Sequence, residues 1–376
     1  MKRLIYADNA ATTKLDIEAF EAMKPYLLDE YGNASQPYSF SRSPKKALYE
    51  ARQIIASCIN ASPDEIYFTS GGTESDNWAI KGTAFCSTER KSIITSSFEH
   101  HAVLRTCASI ETMGYPIAYI EPNTSGYITS DALESVITPQ TLLVSVMMAN
   151  NEIGTIQPIE KLAEIAHRNG ALFHTDAVQC VGHLEIDVKS LGVDMLSASA
   201  HKFNGPKGIG FLYIKKGTQI ASLLSGGSQE KGYRAGTENI AAIVGMAVAL
   251  KKGRSNLSTY TEHILNLESS LISLLSEENI QFRINGNGIK LPGILSISFP
   301  GFSGESLLHR LDLSGIQIST GSACDSINTE ISHVLKAIRA DEKDALGTIR
   351  ISLGRENTID DVIDISKTLI KIIKPQ

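Results

Sequence analysis

The chain has no excess of positive charge, no long apolar run and no paired cysteines. Its 376 residues carry 35 Lys and Arg against 41 Asp and Glu, a net charge of -6. Without a broad basic footprint, direct binding to nucleic acid is not expected. No uninterrupted apolar stretch approaches the length that spans a bilayer, so no membrane partner is expected. Met1-Lys-Arg-Leu-Ile-Tyr-Ala-Asp8 lacks the apolar core and cleavage site of a secretory leader. The five cysteines (Cys58, Cys86, Cys107, Cys180 and Cys324) are odd in number, widely spaced and never in a Cys-x-x-Cys pair. That argues against a zinc site and against a disulfide framework, and fits a reducing, cytoplasmic setting. Aromatic residues are only 6% of the chain, and there are no repeats or low-complexity tracts.

What is present is ordinary globular material, 42% hydrophobic and 20% charged. The length exceeds what one core usually organises, which suggests two domains. Strand-like pieces at 92–95, 142–147, 171–174 and 195–197 alternate with amphipathic stretches such as 131–136 and 159–169. Gly170 is a candidate helix stop. Repeated βα units imply a mainly parallel sheet covered by helices, with ligands outside the carboxyl ends of the strands. Asn151, Asp176 and Lys202 all fall at such ends. Composition shifts near 251–256. Beyond it come a long helix at 260–275, strand-like pieces at 294–299, 316–319 and 348–353, and a last helix at 359–373. Residues 15–255 are expected to form a large domain. Residues 1–14 and 256–376 are expected to form a smaller α/β one.

The most informative stretch is Ser197-Ala-Ser-Ala-His-Lys-Phe-Asn-Gly-Pro-Lys-Gly-Ile-Gly210. It sets Lys202 just past an apolar run, beside Ser199 and His201, with a Gly/Pro turn behind. Upstream, Ala171-Leu-Phe-His-Thr-Asp176 ends in a carboxylate. An amine and an acid at neighbouring strand ends suit pyridoxal phosphate, the amine holding the aldehyde and the acid keeping the pyridine nitrogen protonated. Read blandly, the same residues are a surface lysine near a loop and a helix-capping aspartate.

Other motifs are modest singly. Ser70-Gly-Gly-Thr-Glu-Ser75 lies at a strand-to-helix turn whose free N–H groups favour an anion, or it is a plain helix start. It is neither a P-loop nor a dinucleotide fingerprint. Phe98-Glu-His-His-Ala102 offers an imidazole for stacking and proton transfer, or two surface histidines. Met148-Ala-Asn-Asn-Glu-Ile-Gly154 offers amides to a ligand, or a turn. Ile318-Ser-Thr-Gly-Ser-Ala-Cys-Asp-Ser-Ile-Asn-Thr-Glu330 puts Cys324 among small polar residues, a loop thiol placed to act as nucleophile or carrier. Thr348-Ile-Arg-Ile-Ser-Leu-Gly-Arg355 alternates. Ile349, Ile351 and Leu353 share one face and Arg350 the other, for a carboxylate or a structural ion pair.

Together with Tyr6-Ala-Asp-Asn-Ala-Ala-Thr-Thr13, Asp176-Ala-Val-Gln179 and Arg234-Ala-Gly-Thr237, these motifs resemble the cysteine desulfurase family, the NifS/IscS-like branch of the aspartate-aminotransferase-like enzymes. The order of the motifs and their joint presence, nearly end to end, carry the resemblance. It implies an α/β pyridoxal-phosphate fold of type I and a homodimer that takes sulfur from L-cysteine. Lys202 carries the cofactor, Asp176 pairs with its ring nitrogen, and His100 stacks on the ring and moves protons. Gln179 reaches the phenolic oxygen. Gly72, Thr73, Ser199 and His201 hold the phosphate, with Thr237 coming from the other subunit. Asn151 and Arg350 bind the substrate carboxylate. Cys324 takes the sulfur as a persulfide, L-alanine leaves, and a sulfur-acceptor protein receives the sulfur. Iron–sulfur assembly, tRNA thiolation and DNA phosphorothioation proteins are all compatible acceptors.

Two departures stand out. Gly32-Asn-Ala-Ser-Gln-Pro-Tyr38 replaces the family's Gly-Asn-Pro-Ser-Ser-x-His, and 325–331 reads Asp-Ser-Ile-Asn-Thr-Glu-Ile. Both point to a dedicated acceptor. Competing readings are a selenocysteine lyase or cysteine-sulfinate desulfinase, which leave Cys324 without a strict role. A thiol hydrolase or a non-enzymatic sulfur-transfer scaffold leaves Lys202 and Asp176 idle.

Overall fold

The structure, a computed structural model, describes residues 3–87, 89, 91–320 and 331–374. Its strands, in chain order, are β1 (Ile5–Tyr6), β2 (Ile66–Thr69), β3 (Ser92–Ser96), β4 (Ile117–Ile120), β5 (Thr141–Ser145), β6 (Leu172–Asp176), β7 (Met195–Ser199), β8 (Gly210–Ile214), β9 (Arg283–Ile284), β10 (Ile294–Ser298), β11 (Ile316–Gln317) and β12 (Thr348–Ser352).

A seven-stranded sheet runs in the order β2-β8-β7-β6-β5-β3-β4. Strands β3 to β7 are parallel, whereas β8 runs antiparallel to both β7 and β2. The expected mainly parallel sheet is there, with an antiparallel margin. Both faces are apolar, because both are covered. Ile94, Val144, Leu196 and Phe211 join one core, while their chain neighbours Ile93, Leu143, Met195 and Leu212 join the other. This double burial explains why these strands read as short continuous apolar runs rather than alternating ones.

A three-stranded antiparallel sheet, β12-β10-β9, lies after the long helices Ile240–Ser255 and Leu257–Glu277. Its inner face, with Ile297, Phe299, Ile349 and Ile351, packs on Leu271 and on Val362, Ile365 and Leu369 of the helix Ile359–Ile373. That helix spans the residues expected of it, and opens with a capping box from Thr358 and Asp361. Gly170, at φ +71°, follows the helix Ile159–Arg168 in the left-handed conformation that stops helices.

The strand limits move by a few residues, and two of the shifts build the site. The segment expected at 171–174 continues to Asp176, and 195–197 continues to Ser199. The run at 142–147 ends as a strand at Ser145, so Met147 leaves the sheet and lines a cavity. The chain start ties the two sheets together. Strand β1 pairs in parallel with β11, and Asp8 bridges Ser352. Ala10 N–H donates to Ser352 Oγ (2.9 Å) and Thr13 N–H to the His201 carbonyl (2.8 Å).

Candidate active site

Strands β6 and β7 lie side by side, so Asp176 and Ser199 end at the same edge of the sheet. A single-turn helix, Ala200–Lys202, then turns Lys202 back over that edge. A cavity of about 570 Å³ opens there. It is lined by Gly72, Thr73, His100, Asn151, Asp176, Gln179, Ser199, His201, Lys202 and Arg350. Every motif with a described candidate thus reaches one cavity, with one exception. Thr237 is exposed and does not line it. Cys324 lies outside the described residues.

Lys202 is no surface lysine. Its Nζ donates to the carbonyls of Ala10 (2.6 Å) and Ala11 (2.8 Å). Asp176 is no helix cap either. It is 6% exposed and its Oδ1 accepts the Val178 N–H at 2.9 Å. Burial pushes its carboxyl upward, and neighbouring His100, the Val178 N–H and the Lys202 ammonium offset that push only in part. A cationic hydrogen-bond donor such as a pyridinium nitrogen would complete that balance. His100 does start a helix, its Nδ1 accepting the Ala102 N–H at 3.1 Å, but the ring faces the cavity. Burial lowers its basicity, Asp176 raises it, and Lys202 lowers it again. The net result is a neutral imidazole near neutral pH. His201 is lowered to about 4, chiefly by burial and then by Lys202 and Lys207.

The turn into the helix Gly72–Cys86 is built for close approach. Gly71 sits at φ +151°, where a side chain is strained, and a Cβ at Gly72 would lie 2.6 Å from Val178 Cγ2. No side chain caps this helix, so its first N–H groups stay open to an anion. Gln179 donates its amide to the Ala10 carbonyl at 3.0 Å. Arg350 is 3% exposed, and its Nη1 donates to the Asn151 carbonyl (2.9 Å) and Nη2 to Asp8 Oδ1 (2.8 Å). Its buried Nε has no partner among the described residues. An arginine with a spare buried donor, facing a cavity, suits a substrate carboxylate.

These residues fit pyridoxal phosphate. The uncapped helix start and tight glycine turn suit its phosphate, Lys202 its aldehyde, Asp176 its ring nitrogen and His100 its ring face.

Four residues of the site went unread. Asp8 lay inside a motif without a role. Asp76 lines the cavity one helical turn after Gly72, a spacing that places both on one face. Glu99, fully buried, accepts the Met147 N–H with both oxygens (2.9 and 3.0 Å) and also the Ser96 hydroxyl. His333 lines the cavity mouth, its ring 4.9 Å from that of His101 and its Nε2 2.9 Å from the Glu99 carbonyl oxygen. Nothing in the sequence around His333 signals this placement.

Known proteins place the chain firmly. Residues 5–365 match the family described as Aminotransferase class-V. The cysteine desulfurase IscS of Dictyoglomus turgidum is 47% identical, over 100% of this chain and 96% of that protein. A solved NifS-like protein superposes with a TM-score of 0.92 at 38% identity, covering 98% of this chain and 99% of the other. SspA, solved in complex with cysteine, superposes with a TM-score of 0.83 at 36% identity, covering 95% and 100%. The chain belongs to the class-V aminotransferase family, among its cysteine desulfurases.

Proposed function

We infer that the protein is a pyridoxal-phosphate-dependent cysteine desulfurase that converts L-cysteine to L-alanine and leaves the sulfur as a persulfide on Cys324. The observation that carries this reading is the convergence of Lys202, Asp176, His100 and Arg350 on one cavity at the ends of β6 and β7. The bound cofactor draws electrons from the amino-acid α-carbon and so weakens the Cβ–S bond.

The chain's own residues do the rest. Lys202, released from the Ala10 and Ala11 carbonyls, is the amine that holds the cofactor. Asp176 keeps the ring nitrogen charged. Gly72, Thr73, Ser199 and His201 hold the phosphate, and Gln179 reaches the phenolic oxygen. His100, neutral because burial disfavours its cation, is poised to accept and return a proton. Arg350 and Asn151 orient the substrate carboxylate, which fixes the sulfur relative to the incoming thiol. Cys324 Sγ bonds the substrate sulfur as the Cβ–S bond breaks, and a proton goes to Cβ to give alanine. The products are one alanine and one enzyme persulfide, so no external oxidant is needed.

The sulfur then passes to an acceptor protein, and the enzyme works as a homodimer in which Thr237 completes the partner's phosphate site. The exposure of Thr237 outside its own cavity supports that sharing. Exposed Leu27, Leu28, Tyr31 and Phe40 supply apolar surface for such an assembly. Residues 15–255 form the cofactor domain, and 1–14 with 256–376 the smaller one. The separate core of Ile5, Ala7, Leu267, Leu271, Leu275, Ile349 and Ile351 supports that division, while Ala10, Ile294, Val334 and Leu335 pack into the larger core and join the two. No helix among the described residues is long and apolar enough to cross a membrane, which is compatible with a cytoplasmic location.

The test is incubation with L-cysteine, followed by amino-acid analysis and mass spectrometry of the cysteine peptides. Alanine together with one extra sulfur on the Cys324 peptide is the expected result. Alanine without a persulfide would favour a lyase.

A further inference from the structure

Residues 6–13 form a strap along one wall of the cavity, which Ala10, Ala11 and Thr12 line. The Lys202 amine lies on it, 2.6 Å from the Ala10 carbonyl oxygen and 2.8 Å from that of Ala11. Two carbonyls at these distances favour a charged amine, since they accept and cannot donate. Both belong to a turn rather than to a strand, so their direction depends on what fixes the strap.

On the side of the seven-stranded sheet, Thr13 N–H donates to the His201 carbonyl (2.8 Å) and Gln179 Nε2 to the Ala10 carbonyl (3.0 Å). On the other side the anchor is Asn357, which follows β12 and is 6% exposed. Its Nδ2 donates to the Tyr6 carbonyl at 2.9 Å. Its Oδ1 accepts the Gly354 N–H at 2.7 Å and the Asn9 Nδ2 at 3.2 Å. The partners fix the orientation of this amide, because a carbonyl only accepts and a backbone N–H only donates. Asn9 Nδ2 also donates to the Ser352 carbonyl at 2.9 Å. One buried amide thus holds both the beginning of the strap, at Tyr6, and the residue next to Ala10. Gly354 makes room for this, since a Cβ there would lie 2.7 Å from Asn9 Cγ and Oδ1.

We propose that Asn357 is a positioning residue for the cofactor lysine. It sets the register of the strap, so that the Ala10 and Ala11 carbonyls receive the Lys202 amine whenever that amine is not bonded to the cofactor. The lysine is then held charged and in one place for its return, instead of swinging free in the cavity. Truncating Asn357 leaves the Tyr6 carbonyl, the Gly354 N–H and the Asn9 amide short of a partner, and the strap shifts to find others. The inference rests on the reading of the cavity as a pyridoxal phosphate site.

The test is the reactivity of Lys202 in the full chain freed of cofactor. A trace of acetic anhydride, which attacks the uncharged amine, is followed by peptide mass spectrometry. Lys207 lines the same cavity, is exposed, and serves as the internal reference. Asn357→Ala should raise acetylation of Lys202 relative to Lys207 by about fivefold or more. Gly354→Ala, which pushes on Asn9, should raise it too. Asn285→Ala is the control for a general loss of stability. It removes a buried amide that bonds the Ser296 and Ser298 hydroxyls of the smaller sheet. It should leave the ratio within about twofold of wild type. An unchanged ratio in Asn357→Ala, or an equal rise in Asn285→Ala, overturns the proposal. If Asn357→Ala does not fold, Gly354→Ala decides by the same two outcomes. Loading wild type with pyridoxal phosphate should shield Lys202 from the reagent. Failure of that shielding would overturn the cofactor reading and the purpose of the strap with it, whereas an unchanged ratio with shielding intact would overturn the strap alone.

Discussion

Arg350 and Asp8 form an ion pair of 2.8 Å at the seam between the two sheets, both largely shielded from water. The pair holds the guanidinium ready at the cavity, and a substrate carboxylate must compete with Asp8 for it. Arg350→Ala removes a charge-assisted contact of roughly 2–4 kcal/mol. The apparent affinity for cysteine should fall by roughly 30-fold or more. Arg355→Ala should do far less, since that guanidinium pairs with Asp16 and lies over the Tyr260 ring. Asp8→Asn should lower KM, because it removes the competitor and keeps the shape. Steady-state kinetics on the three variants checks this. Equal losses in Arg350→Ala and Arg355→Ala would contradict the assignment.

Lys202 should be the lysine that carries the cofactor. Borohydride reduction of the loaded enzyme and peptide mapping should place the label there, and Lys202→Ala should show no lysine-bound visible absorbance. Lys207 is the informative control, because it lines the same cavity. Label on Lys207 would refute the assignment.

Cys324→Ser should separate cofactor chemistry from sulfur capture. The variant is expected to bind cofactor and respond spectrally to cysteine, yet to form almost no persulfide. Sulfide release at the wild-type rate would remove Cys324 from the mechanism.

Glu99 should impose a pH dependence on stability. Burial raises its carboxyl from the ordinary range to about 8. Between those values the folded chain holds a proton that the unfolded chain releases, so this contribution is full in acid and lost as pH rises through about 8. The buried histidines act the other way, but only below their ordinary value of about 6.5. Lys290, lowered by burial to about 8, titrates in the same window, so melts from about pH 7 to 9 isolate the carboxyl as the difference between wild type and Glu99→Gln. Glu99→Gln, which can still accept the Met147 N–H, should gain on wild type in Tm as pH rises. A constant difference would show that Glu99 does not hold its proton.

The sequence made the cofactor wall legible because chemistry and position coincide there. Asp176 and Lys202 stand at strand ends, and the strands declare themselves by apolar runs. Arg350 was legible as a face, through the alternation of Ile349, Ile351 and Leu353. Its neighbours were not. Asp8 is more than three hundred residues away in the chain, and no local pattern reports a contact closed by the tertiary fold. His333 is similar, since its approach to Glu99 depends on how the chain returns to the site. The antiparallel β8 was hidden for another reason. A strand buried on both faces has the same composition whichever way it runs.

The grip of the Ala10 and Ala11 carbonyls on Lys202 has a temporal consequence. Residues 5–13 find their partners at His201, Ile316, Gln317 and Ser352, so this segment emerges during synthesis long before the residues it pairs with. The seven-stranded sheet, complete by Ile214, can form while that segment is still unattached. Contacts of such long sequence separation close late. A growing chain should thus possess a folded scaffold well before it possesses a working site, and cofactor capture becomes a marker that synthesis has passed Ser352.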